Sequence, residues 1–198
     1  MSIDPNKIRV TGENSFVRLA EADGADPTAQ NSHWRVHLSP KGIGHALFTK
    51  SHLTDNETRI YSDNIALARW LQHGIMASMT SDYGGEEVPV IEAEFSKIGD
   101  PATYWTEYVE SDSDSIALTW YDFGEPFLMA NAPGENPEQP HGVYSVLIPA
   151  FKAQMTLNGH IASGNAIPRQ IVDKDGSSCC LALSETWVIP YDHAWATQ

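Results

Sequence analysis

Two glutamates stand in rows of side chains that are otherwise apolar. Residues 103–123, TYWTEYVESDSDSIALTWYDF, read as two strands folded back around Ser111-Asp112-Ser113-Asp114. Partners across an antiparallel pair have a constant index sum. A turn centred on that tip therefore sets Trp105 opposite Trp120, Glu107 opposite Leu118 and Val109 opposite Ile116. Side chains alternate between faces, so these six share one face, while Thr106, Glu110, Ser115 and Thr119 occupy the other. A slip of one residue would send both tryptophans to water. Glu107 is expected to point inward. Near the C-terminal end, SSCCLALSETWVIP repeats the arrangement, with Cys179, Leu181, Leu183, Glu185, Trp187 and Ile189 alternating onto one face. A carboxylate taken out of water must meet a cation or keep a proton by raising its pKa. In the second state it is suited to general acid or base work. The competing reading pairs each glutamate with an inward arginine such as Arg35 or Arg169, or lets a bulge turn it outward, and both stay open at this level.

Residues 153–162 have a different profile. Met155, Leu157, Gly159 and Ile161 form an apolar row and leave Gln154, Thr156, Asn158 and His160 together. The expectation is a site in which Glu107, Glu185 and His160 are catalytic and Asn158 orients the substrate. Trp105, Trp120 and Trp187 would form apolar walls, with Tyr144 and Asp122 as further substrate contacts; for Asn158 and His160 a merely solvated face is the alternative. His33 and His37 lie four residues apart on a strand, about 13 Å at roughly 3.3 Å per residue, too far to share an ion. A hairpin turning near Lys41 would set His37 across from His45, which makes that pair a weak metal candidate and leaves no metal as the expectation.

The elements that must hold these side chains are mostly strands. SHWRVHLS, residues 32–39, puts Trp34, Val36 and Leu38 on one face and His33, Arg35 and His37 on the other, the period-two mark of a half-buried strand. Before it, 8–10 and 16–19 read as two short strands and 21–32 as a loop. In residues 64–78 Leu67, Trp70, Leu71 and Ile75 make an amphipathic helical stripe, with Ser62 or Asp63 placed to cap it. From Val88 onward short strands and tight turns follow one another. The fold class expected is mainly β: an antiparallel β-barrel, calycin-like in outline as a matter of shape, with one amphipathic helix packed on it. Residues 1–198 are read as a single domain. The stretch 131–141, NAPGENPEQPH, has three prolines and no periodicity, so it is either disordered or a lid.

Composition narrows the function. The net charge is −14, and the 12 basic residues are scattered, so a phosphate backbone would be repelled. Nucleic acid and membrane are excluded as expected partners. With no apolar run long enough to span a bilayer and no leader pattern at the start, a cytoplasmic protein is expected. Cys179 and Cys180 are adjacent and point to opposite faces of a strand, which fits a reducing compartment. GxSxG, GxxxxGK[ST] and strand-GxGxxG-helix signatures are all missing, so no cofactor is expected. The reading is a cofactor-independent lyase, hydratase or isomerase acting on a small, partly hydrophobic molecule bound inside the barrel. The alternatives are a non-catalytic small-molecule binding protein of the same fold and an oligomeric structural subunit; a homo-oligomer is open in either case.

Overall fold

The computed structural model describes residues 8–85, 88–134 and 141–189. Its strands are β1 Ile8–Ala20, β2 Pro27–Leu38, β3 Gly44–Ser51, β4 Thr58–Ser62, β5 Val90–Glu92, β6 Glu94–Asp100, β7 Tyr104–Glu110, β8 Ser115–Phe123 and β9 Phe127–Asn131. They continue with β10 Gly142–Leu157, β11 His160–Ile161, β12 Asn165–Ala166, β13 Pro168–Ile171, β14 Lys174–Ser177 and β15 Cys179–Val188. The chain is 61% strand and 12% helical, with a nearly closed barrel-like sheet and one helix of 15 residues packed on it, as expected from the sequence pattern.

The sheet runs β5-β4-β3-β2-β1-β15-β10-β8-β7-β6. Its two end strands, β5 and β6, are consecutive in the chain with only Ala93 between them, so the polypeptide itself bridges the gap in the barrel wall. Neighbours along this path are antiparallel except β4 and β5. The β7–β8 hairpin has the expected register, with Trp105 opposite Trp120 and Glu107 opposite Leu118. β10 is long enough to link two strands of this path, residues 142–149 pairing with β15 and 150–157 with β8, and it also takes β9 and β11 off the path.

Two apolar layers share these strands. Inside the barrel lie Val17, Leu19, Leu47, Tyr61, Trp105, Val109, Leu118, Trp120, Met155 and Leu181. Trp120 reaches across and donates its Nε1 hydrogen to the Phe16 carbonyl at 2.9 Å. Outside, Val10, Trp34, Val36, Phe48, Ile60 and Trp187 pack against the helix residues Leu67, Trp70, Leu71 and Ile75. β1 to β3 are therefore covered on both faces. The alternation in SHWRVHLS marks two different interiors, apolar under the helix and polar inside the barrel, and the strand is not half-buried over Asn31–Val36.

Several local expectations give way. β1 runs unbroken from Ile8, and β2 begins at Pro27 inside the stretch read as a loop; polar residues there are held by cross-strand bonds such as Thr49 Oγ1 to Asn31 Oδ1, 2.7 Å. The strand expected over 153–162 is the end of β10, and it stops at Leu157, where Asn158 and Gly159 take left-handed φ values of 52° and 79° and turn the chain. The helix spans Ile65–Leu71, a wide π turn over Gln72–Met76 and a last turn Ala77–Met79. Its cap is Asn64, whose Oδ1 accepts from the Leu67 N–H at 3.1 Å, because Ser62 and Asp63 instead bind His45 on the neighbouring strand. Asn64→Ala should lower stability by about 1 kcal/mol, read as a lower melting temperature with the strand signal otherwise unchanged. Of the stretch read as a lid, residues 135–140 lie outside the described residues.

Candidate functional site

Glu107 and Glu185 are both buried, at 1% and 4% exposure, but on opposite faces of the sheet. The cause is one extra residue. β15 follows β10 with Val146 opposite Ser184 and then Leu147 opposite Ala182, so Leu183 is the bulge. Cys179, Leu181 and Leu183 face the barrel interior, while Glu185 and Trp187 fall on the outer face under the helix, where Trp187 packs on Trp34. The single apolar row expected for this strand is thus split, and the two glutamates do not share a site.

Glu185 lies in a surroundings of neutral donors. One oxygen, Oε1, accepts from Trp187 Nε1 at 2.7 Å and from Asn14 Nδ2 at 2.9 Å. Asn14 is held in turn by Ser32, whose hydroxyl donates to its Oδ1 at 2.8 Å. Ser145 stands directly across from Glu185, its buried hydroxyl without a well-formed hydrogen bond. Among the described residues no cationic side chain pairs with this carboxyl. Burial pushes its pKa up, and the hydrogen bonds from Trp187 and Asn14 only partly oppose that.

Glu185 lines a cleft of about 580 Å³ between the outer sheet face, the end of the helix and β9. Asn14, Ser32 and Gln30 share that lining, with Phe16, Met76, Met129 and Trp187 as apolar walls and Arg18 and Arg169 as cations. A mainly apolar cleft of this size with a few convergent polar groups is what a small organic ligand requires. Asn14 and Ser32 were not singled out from the sequence; the signal that could have found them is their alternation with Phe16 and Trp34, which puts them on the face that Glu185 reaches.

Glu107 has a different environment. Its Oε2 accepts from an Arg35 terminal nitrogen at 3.0 Å, and its Oε1 from Trp105 Nε1 at 2.7 Å. Arg35 also meets Glu13 at 3.2 Å, and its Nε donates to His45 Nε2 at 3.0 Å, which leaves the proton of that ring on Nδ1, facing Asp63 at 2.6 Å. Lys97 approaches Glu13 at 3.5 Å and lies over the Trp105 ring. Burial raises the Glu107 pKa, and Arg35 pulls against it without cancelling it. This is a paired network, the arrangement that competed with the acid–base reading.

His33 completes the network. Its ring stacks on Phe95, 5.5 Å between centroids, with His45 on the same phenyl ring at 5.0 Å; its Nε2 has no hydrogen-bond partner. Burial and the nearby His45, Arg35 and Lys97 hold its pKa well below the usual value. A depressed imidazole binds fewer protons folded than unfolded, so its neutrality contributes stability above about pH 6.5 that is lost as pH falls. In denaturant titrations between pH 7 and 5, His33→Gln should flatten that decline.

The remaining expected residues scatter. Trp105 and Trp120 are in the barrel interior, Trp187 at the cleft. His160 is exposed at the start of β11, and Asn158 sits at the exposed turn after β10. There Asn158 accepts from the Ser115 N–H at 2.8 Å and donates to Asp114, a turn-fastening role. Tyr144 is half-buried on β10, and Asp122 is exposed, paired with Lys152 at 3.2 Å. His37 is not across from His45: Arg35 is, because the β2–β3 register is shifted by two from a turn centred on Lys41. Among the described residues no three His, Cys, Asp or Glu side chains gather closely enough to hold a metal ion. No helix there is long and apolar enough to cross a membrane. Cys179 and Cys180 are free and buried, their thiols pushed up to about 11 and about 12. No protein-family model, curated protein or solved structure matches this chain.

Proposed function

We propose that the protein binds a small, partly apolar organic molecule in the outer cleft and that Glu185 exchanges a proton with it, in a cofactor-independent reaction of the lyase, hydratase or isomerase kind. The observation that carries this reading is a buried carboxyl supported by neutral donors alone at a cleft wall. Such a group holds its proton toward neutral pH and can give it to one atom of a ligand and take one back from another. Trp187 and Asn14 fix the carboxyl by one oxygen, which keeps its plane constant through the exchange. The cleft replaces the barrel interior as the ligand site, since the interior is filled by Trp105, Trp120 and their neighbours.

A non-catalytic carrier is the second reading, favoured by one fact: neither Glu107 nor His160 lines the cleft, so Glu185 has no second expected acid or base beside it. Glu185→Gln separates the two. An enzyme loses turnover of a screened substrate by roughly 10²–10⁴-fold while retaining ligand affinity within a few fold. Unchanged turnover in that variant removes Glu185 from the chemistry.

A further inference from the structure

The charges around the cleft run against those of the chain. The protein carries −14 overall, yet the cleft is lined by Arg18 and Arg169, and neither forms an ion pair with a carboxylate among the described residues. Arg35 and Arg59, by contrast, are both paired with acids. Arg169 is positioned rather than loose: its Nε donates to the Ser177 carbonyl at 3.1 Å, and its guanidinium lies 5.8 Å over the Phe16 ring, which leaves its terminal nitrogens uncommitted. The carboxylate of Asp82, also on the cleft wall, is already taken by Lys50 at 2.7 Å. The remaining acid, Glu185, is the one that burial drives toward its neutral form.

Position along β1 supplies a length. Asn14, Phe16 and Arg18 alternate onto the outer face and line the cleft in that order. Asn14 is bonded to Glu185, and Arg18 lies four residues further on, roughly 13 Å at about 3.3 Å per residue. Between them Phe16, with Ile171 and Leu147, offers an apolar surface. A ligand that meets both ends must therefore be anionic at one end and apolar along its body.

We infer that the cleft takes an amphipathic organic acid whose carboxylate is held by Arg18 and Arg169 and whose body runs over Phe16 toward Glu185. This rests on the small-molecule reading of the same cleft. The guanidinium fork matches a carboxylate with two parallel hydrogen bonds, and an apolar chain between the two polar ends gains from leaving water.

The test is calorimetric titration of the full chain with octanoate, octan-1-ol and octylamine at one ionic strength. It is repeated on R18Q/R169Q and on K152Q as a control for surface charge. Octanoate should bind at least tenfold more tightly than octan-1-ol, with octylamine weakest. The double variant should abolish that preference and leave octan-1-ol unchanged, and K152Q should match the parent. If octan-1-ol binds as tightly as octanoate, or the preference survives in R18Q/R169Q, the acid assignment is overturned and the small-molecule reading stands. If neither the acid nor the alcohol binds at millimolar concentration, both fall together.

Discussion

Arg35→Ala is expected to remove about 3–5 kcal/mol of stability, because it strands Glu107, an acid that cannot escape to water. Arg35 is the common partner of Glu107, Glu13 and the His45 ring. Without it Glu107 keeps the Trp105 N–H and His33 Nδ1 at 3.9 Å, at 1% exposure and against a pKa that burial already raises. Urea denaturation at pH 7 reads the loss. Two further measurements tie it to charge. The deficit should shrink as pH falls toward 4 and Glu107 takes a proton. Glu107→Gln added to Arg35→Ala should recover a large part of it, since neutralising the stranded partner removes the main penalty. Arg35→Lys should fall between, for it keeps the charge and loses the fork that reaches three partners. Equal losses at pH 4 and pH 7 would mean that packing, not the ion network, sets the cost.

Glu185→Gln should move stability and function in opposite directions. A carboxyl with a raised folded pKa binds more protons folded than unfolded, so its contribution is fully present below the unfolded value of about 4.3 and is lost as pH rises through the folded value. Glutamine keeps the shape and the acceptor for Trp187 and Asn14 without that loss. The variant should match the parent near pH 4 and exceed it at neutral pH by about 1–2 kcal/mol, the usual size of a stability gain won at a functional site. On the proposed acid–base role, the same substitution should end proton exchange with a ligand. A variant that is less stable at pH 7 would show that the buried carboxylate is welcomed by its surroundings, and the acid–base reading would lose its physical basis.

The sequence pattern was informative wherever alternation and turn chemistry agreed. The β7–β8 hairpin is such a place: a polar four-residue tip and a pair of bulky tryptophans leave one workable register, and Glu107 faces inward as that register requires. β15 is the opposite case. Alternation is read by counting by twos, and a bulge at Leu183 adds one residue that leaves no mark in the types of the neighbouring side chains. Every assignment past it changes face, so Glu185 parts from Glu107. β2 departs from its pattern for a different reason. Polar side chains that alternate with apolar ones usually mark a solvent face, whereas here His33 is buried and Arg35 largely covered, and Arg35 bonds His45 and Glu107 on other strands. Arg18 and Arg169, on strands far apart in the chain, are brought to one cleft only by the tertiary fold.

The bridge at Ala93 has a kinetic consequence. β6 pairs with β7 on one side and ends the sheet on the other, and most of its residues are exposed. Phe95, the ring that covers both His33 and His45, belongs to this strand. β6, like β5, is an edge strand bonded on one side only, and its amides should exchange with solvent deuterium well before those of β1 or β15, which are bonded on both sides. His33 then meets water when β6 lifts rather than through the packed walls. Its protonation follows the opening rate of one strand, so a rapid pH drop should be answered by a delayed step in the imidazole signal.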